Sequence, residues 1–238
     1  MKYSTHYLLC ILLVCCPFYG FRPDRKPTLF IIGNSHARNG SLANGGFGQW
    51  GWGSFIHNLL DTTKISIQNR AMGGSSSTSY IQTGLWDKVL AVLKPGDFVL
   101  IQFDKSEKYI QDSKSKGATP FICSPGVRNV WINNKINRRN TRNVEAMKEQ
   151  YKLSKVPFID LYTPLCDHYD KMGQDYVSSI YFGIDSVHTI EGGAKMSASL
   201  IAGGLRNLKK NPLKKYLLRK PRDMKNWKYA PSPDPRKL

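Results

Sequence analysis

Five short runs of Val, Ile, Leu and Phe punctuate the chain, at Thr28–Ile32, Lys64–Gln68, Asp97–Phe103, Thr119–Cys123 and Pro157–Leu161. Each gives way to a glycine, a proline or a polar turn. The runs scarcely alternate between apolar and polar residues, which is the pattern of strands covered on both faces. Between them the apolar spacing lengthens to the helical period. "LWDKVLAVLKPG" (Leu85–Gly96) sets Leu85, Val89 and Val92 on one face and stops at Pro95-Gly96. Asn140–Lys155 and Thr189–Leu205 read the same way. Strand alternating with helix predicts an α/β fold, a five-stranded parallel sheet with helices on both faces. There is no internal repeat.

Within that frame, "TLFIIGNSHARNG" (Thr28–Gly40) puts Ser35 just past the carboxyl end of the first strand, where open α/β sheets place their chemistry. Near the other end, "YFGIDSVHTIEGGA" carries Asp185 and His188 three residues apart, ahead of the last helix. At that spacing a turn lets the carboxylate hold one imidazole nitrogen while the other faces outward, as a general base for serine requires. Taken alone, the pair reads equally as loop and cap residues. After the second strand comes "NRAMGGSSSTSY" (Asn69–Tyr80), whose glycines can offer unobstructed backbone N–H groups to an anion. On its own this is a Gly/Ser turn.

In this order, these segments resemble the SGNH (GDSL-like) hydrolases, and within them the rhamnogalacturonan acetylesterases. The resemblance runs from about Pro27 to Leu208 and includes "GNSHARNG", "GQWGWGSF", "NRAMGGSSS", "GDFVLIQF", "KGATPFICSP", "VPFIDL" and "DSVHTIEGGA". It implies a three-layer α/β/α sandwich, flavodoxin-like, and a carbohydrate esterase that removes O-acetyl groups from a pectin-like polysaccharide without a cofactor. By the same resemblance Ser35 is the nucleophile, His188 the base and Asp185 its orienter, with the Ser35 and Gly74 N–H groups as oxyanion donors.

The chain also departs from the family pattern. Asn34 stands where the family has aspartate. His36, beside the nucleophile, reads as a solvated turn residue rather than a substrate contact. After the third strand the family has Gln-Phe-Gly-His-Asn-Asp, whose asparagine is a third oxyanion donor. Here Gln102-Phe103 is followed by Asp104, Lys105, Ser106 and Glu107, and only 11 residues (Ser106–Lys116) separate Lys105 from Gly117. The His-Asn pair and the long loop after it are missing, which leaves Ser106 or Lys105 as substitute donors. The glycine turn carries Ser75 and Thr78 where the family often has arginines. The alternative to an impaired esterase is therefore a degenerate one that binds glycan without hydrolysis.

Composition adds the surroundings. The 238 residues are 41% hydrophobic and 22% charged, ordinary for a globular chain. Net charge is +18, and from Arg206 to Leu238 twelve Lys/Arg face two Asp. Residues 209–238 are expected to form a loosely attached basic extension attracted to acidic glycan or an anionic surface. Nucleic acid is not an expected partner, because residues 1–20 read as a signal peptide with an apolar stretch at Tyr7–Cys16. Export follows, by cleavage after about Gly20 or with a lipid on Cys15 or Cys16. The remaining cysteines, Cys123 and Cys166, are expected as small core residues, and no His/Cys cluster argues for a metal.

Overall fold

The computed structural model describes residues 25–40, 48–219 and 226–227. The expected signal peptide and most of the basic extension's far end lie outside them. The first expected strand extends to Gly33, forming β1 (Thr28–Gly33). It is followed by β2 (Ser66–Asn69), then α1 (Ser77–Gln82) and α2 (Leu85–Val92). α2 stops earlier than expected: Leu93 is already extended, and Pro95 disfavours helical backbone at Lys94. Next come β3 (Phe98–Gln102), α3 (Glu107–Ser115) and β4 (Thr119–Cys123). A small hairpin of β5 (Trp131–Ile132) and β6 (Lys135–Ile136) precedes α4 (Thr141–Leu153). The chain closes with β7 (Phe158–Ile159), α5 (Tyr162–Met172), α6 (Gln174–Ile180) and α7 (Glu191–Asn207).

The five main strands pair in parallel in the order β2-β1-β3-β4-β7. Their alternate side chains divide the core in two. Leu29, Ile31, Leu100, Phe121 and Ile159 pack against α5, α7 and the segment 50–60. Phe30, Ile32, Val99, Ile101 and Ile122 pack against Trp86, Tyr109, Met147 and Tyr151 of α2, α3 and α4. This is the expected three-layer α/β/α sandwich. Sheet order reverses at β1, so the loops after β1 and β3 diverge there and leave a crevice at the carboxyl edge. α7 lies very close to the sheet: a Cβ at Gly204 would stand 2.8 Å from the Ile159 side chain.

The carboxyl-terminal segment corrects an expectation. Residues 211–218 do not hang loosely. Pro212–Tyr216 forms a 3-10 turn, Leu217 bridges Leu60, and the Asp61 N–H donates to the Tyr216 carbonyl at 2.7 Å. Leu213 and Trp227 are buried in the same core as α7. Apolar side chains at these positions outweigh the surrounding lysines, whose ammonium groups reach solvent past them. Cys123 and Cys166 are buried free thiols.

Candidate active site

The turn after β1 is built around Asn34, whose carbonyl accepts from the Ala37 and Arg38 N–H groups, each at 3.1 Å. Its side-chain oxygen accepts from the His36 N–H at 3.0 Å. An amide does this as well as the family's carboxylate, since only the acceptor oxygen is used. Beneath the turn runs the segment 50–54. The Gly51 N–H donates to the Arg38 carbonyl and the Trp52 N–H to the His36 carbonyl, at 3.0 and 2.9 Å. Glycine is required there. A Cβ at Gly53 would stand 2.3 Å from the Ala37 carbonyl oxygen, and one at Gly51 2.4 Å from that of Arg38. The same segment reaches the other end of the chain. The Trp50 N–H donates to the Thr189 carbonyl at 2.8 Å, and the Thr189 hydroxyl returns a bond to the Trp50 carbonyl at 2.6 Å.

This lacing brings Ser35, His188 and Asp185 together across 153 residues of sequence. The Ser35 hydroxyl lies 3.1 Å from His188 Nε2, and His188 Nδ1 lies 2.9 Å from Asp185 Oδ2. Asp185 Oδ1 accepts from the Val187 and His188 N–H groups, both at 2.7 Å. Partial burial opposes the Asp185 charge, yet the bonds from the His188 backbone, its imidazole and Val187 outweigh it, so the carboxyl lies below its ordinary value. An ionised Asp185 fixes the proton on Nδ1 and leaves Nε2 to accept from Ser35.

The glycine turn lies alongside. The Arg70 and Met72 N–H groups continue the pairing with β1 by donating to the Ile31 and Gly33 carbonyls, at 2.8 and 3.0 Å. Gly74 has φ +78°, in the left-handed region, with open space where a Cβ would be. The backbone N–H groups of Ser35 and Gly74 have no hydrogen-bond acceptor among the described residues. Asn69 ties this turn to the first by donating to the Ala37 carbonyl at 2.7 Å and accepting from the Ala71 N–H at 3.1 Å.

A cleft of about 370 Å³ opens beside the triad, lined by Asn34, His36 and Ser75 on one side and Pro125, Gly126, Asn140 and Asn143 on the other. That is within the usual range for small-ligand sites. α4 and the loop after β4 thus help to wall this space. Gln102 forms the floor, accepting from Trp52 Nε1 at 2.8 Å and donating to the Ser124 carbonyl at 2.9 Å.

Three expectations need correction here. His36 is not a solvated turn residue: its imidazole presses on Gly126, where a Cβ would be 2.6 Å from Nδ1. Burial, aided by the neighbouring His188 and Arg128, pushes its pKa down to about 4, so it is neutral. Ser106 is not a spare donor, because its buried hydroxyl donates to the Phe103 carbonyl at 2.8 Å. Nor does Lys105 face the cleft; it lines a separate groove with residues of α1 and α3. Asp104 lines the cleft instead.

Sequence reasoning also missed two cations. The Arg38 guanidinium lies against Gly73, where a Cβ would be 3.1 Å from Nη1, and Arg128 is felt electrostatically at His36. Neither has a carboxylate partner among the described residues. An arginine does stand by the glycine turn, Arg38, supplied from the loop after β1. The signal was the spacing of Arg38 three residues after Ser35, which becomes legible only once the turn is formed.

No family model matches the chain. Among known proteins, the chain is 27% identical over 199 residues to the rhamnogalacturonan acetylesterase RhgT of Bacillus subtilis, covering 71% of this chain and 85% of RhgT. It is 26% identical over 185 residues to the probable rhamnogalacturonan acetylesterase YesY of the same bacterium, covering 67% and 85%. The solved structure of YxiM from Bacillus subtilis superposes with a TM-score of 0.65 at 23% identity, over 78% of this chain and 57% of YxiM. In sequence and in fold the chain is similar to the SGNH hydrolases. The acetylxylan esterase Axe2 of Geobacillus stearothermophilus shares this SGNH fold more distantly, with a TM-score of 0.50 at 12% identity over 76% of this chain and 92% of Axe2. These relatives are esterases and support an ester hydrolase of the carbohydrate-esterase kind.

Proposed function

We propose that this SGNH hydrolase is a serine acetylesterase acting on an acetylated, acidic polysaccharide. The observation that carries the reading is the continuous hydrogen-bonded line from Ser35 through His188 to Asp185, at 3.1 and 2.9 Å. Ser35 Oγ attacks the acetyl carbonyl while His188 Nε2 takes its proton, and Asp185 steadies the imidazolium that forms. The carbonyl oxygen becomes an oxyanion facing the Ser35 and Gly74 N–H groups. As the tetrahedral intermediate collapses, the sugar oxygen leaves with the proton from His188, and an acetyl-Ser35 ester remains. Water, deprotonated by His188, then cleaves that ester and releases acetate. No step calls for a cofactor.

The substrate class is supported by Arg38 and Arg128, two guanidiniums near the Ser35 turn without a carboxylate partner among the described residues, which suit carboxylates along a sugar chain. The relatives' named substrate, rhamnogalacturonan, points the same way. Export directed by the amino-terminal segment brings the enzyme to such a polymer. Turnover is expected to be low. The third donor is absent, and one such donor typically contributes about 10²–10³ in rate. A second reading, glycan binding without hydrolysis, is favoured by Asp104, an acid lining the cleft two residues before the place of the family's missing asparagine.

Hydrolysis of 4-nitrophenyl acetate decides between them, with Ser35→Ala and His188→Ala measured alongside. A rate well above both variants supports the esterase. A rate equal to that of Ser35→Ala supports the binding protein.

A further inference from the structure

At the amino edge of the sheet, where β1 and β2 begin, lies an open groove of about 450 Å³ lined by Arg25, Lys26, Thr63, Lys64, Lys215 and Tyr216. Ser35 follows the opposite end of β1, whose six residues at ~3.3 Å each separate the two by about 20 Å. The groove is thus distinct from the candidate active site.

Two of its four cations are neutralised. Arg25 pairs at 2.7 Å with Asp97, a buried carboxylate that also accepts from the Thr28 and Lys94 N–H groups. Lys64 pairs with Asp61 at 2.8 Å. Lys26 donates to the Thr62 carbonyl, and Lys215 lies 5.0 Å above the Tyr216 ring. Neither Lys26 nor Lys215 has a carboxylate partner among the described residues. After pairing, the groove keeps two uncompensated positive charges. The chain continues from Arg219 into a segment with six further Lys/Arg against two Asp.

We propose that this groove is a second, non-catalytic contact for carboxylates of an acidic polysaccharide, gripping the polymer at one edge of the sheet while the active site works at the other. The identity of the partner rests on the acetylesterase reading; the charge of the groove does not. Nucleic acid fits less well. Among the described residues Tyr216 is the only aromatic ring in the groove lining, it is buried, and Lys215 covers its face, so the described groove offers a base no platform. Two contacts on one polymer raise the effective concentration of the second without any change at the first.

The test uses the full chain and unacetylated polygalacturonate, with dextran as the neutral control. At low ionic strength, Lys26→Glu/Lys215→Glu should weaken polygalacturonate binding about tenfold, because each exposed ion pair lost or reversed contributes modestly. Lys26→Gln/Lys215→Gln should weaken it less. Hydrolysis of 4-nitrophenyl acetate should be unchanged in both. Three results would overturn the proposal. One is undiminished binding by the Glu variant, and another is equal affinity for dextran or for duplex DNA. The third is loss of all binding when Lys220, Arg222, Lys225 and Lys228 become Gln, since the tail alone would then account for it. An inactive esterase that still binds polygalacturonate through Lys26 and Lys215 would remove the catalytic reading and leave the groove standing.

Discussion

Single residues decide how much chemistry survives the missing loop. Asp104 puts a carboxylate on the lining of the cleft, two residues before the place of the family's asparagine, so its charge as well as the lost donor would disfavour an oxyanion. Asp104→Asn should raise the turnover of 4-nitrophenyl acetate, with a ceiling of about 10²-fold, the contribution of a well-placed donor; no gain would show that the side chain does not face the reacting oxygen. His36 makes a different prediction. In the unfolded chain it takes a proton near its ordinary value of 6.5, whereas in the fold it holds out to about 4. Between those values the unfolded state binds more protons, so stability falls as pH drops from 6.5 to 4. The urea midpoint should decline across that window and decline less in His36→Gln. Asp185, held below its ordinary value, adds a loss only in more acidic solution.

At the scale of elements, the segment from Trp50 to Ser54 joins both ends of the candidate active site. It pairs with the Ser35 turn through Gly51 and Trp52, and with the loop of His188 through Trp50 and Thr189. Gly53→Ala would force a methyl group to within 2.3 Å of the Ala37 carbonyl, so the turn must shift. Activity should fall at least tenfold, because near-attack geometry tolerates displacements of well under 1 Å. Far-ultraviolet circular dichroism should meanwhile stay near that of the parent. An unchanged rate would mean the turn accommodates the methyl group elsewhere. The strands were legible to within about two residues at each end because buried β-branched runs announce themselves. α1 and α6 were not, being short helices of mixed polarity held by a capping box and by packing rather than by an apolar stripe.

The whole molecule is larger than the resemblance suggested. Its sandwich is completed by residues past 208, with Leu213, Tyr216 and Trp227 closing the lower core beside Phe55 and Phe98. Trp227→Ala should cost about 3 kcal/mol, as truncation of a buried tryptophan typically does. Urea denaturation reads this directly, and a loose tail would give no change.

The sequence by itself determined the layered α/β architecture and, through a family resemblance, singled out Ser35, Asp185 and His188 as candidates. Apolar periodicity reports burial locally, and a nucleophile after a strand with D-x-x-H before a final helix is a pattern in chain order. Three things were decided only by the tertiary structure. The fold turned His36 inward, brought Arg38 onto the glycine turn, and docked the end of the chain against the core. Each depends on which distant surface a side chain meets. Local patterns carry no information about that until the sheet order and the turns have set the surfaces face to face.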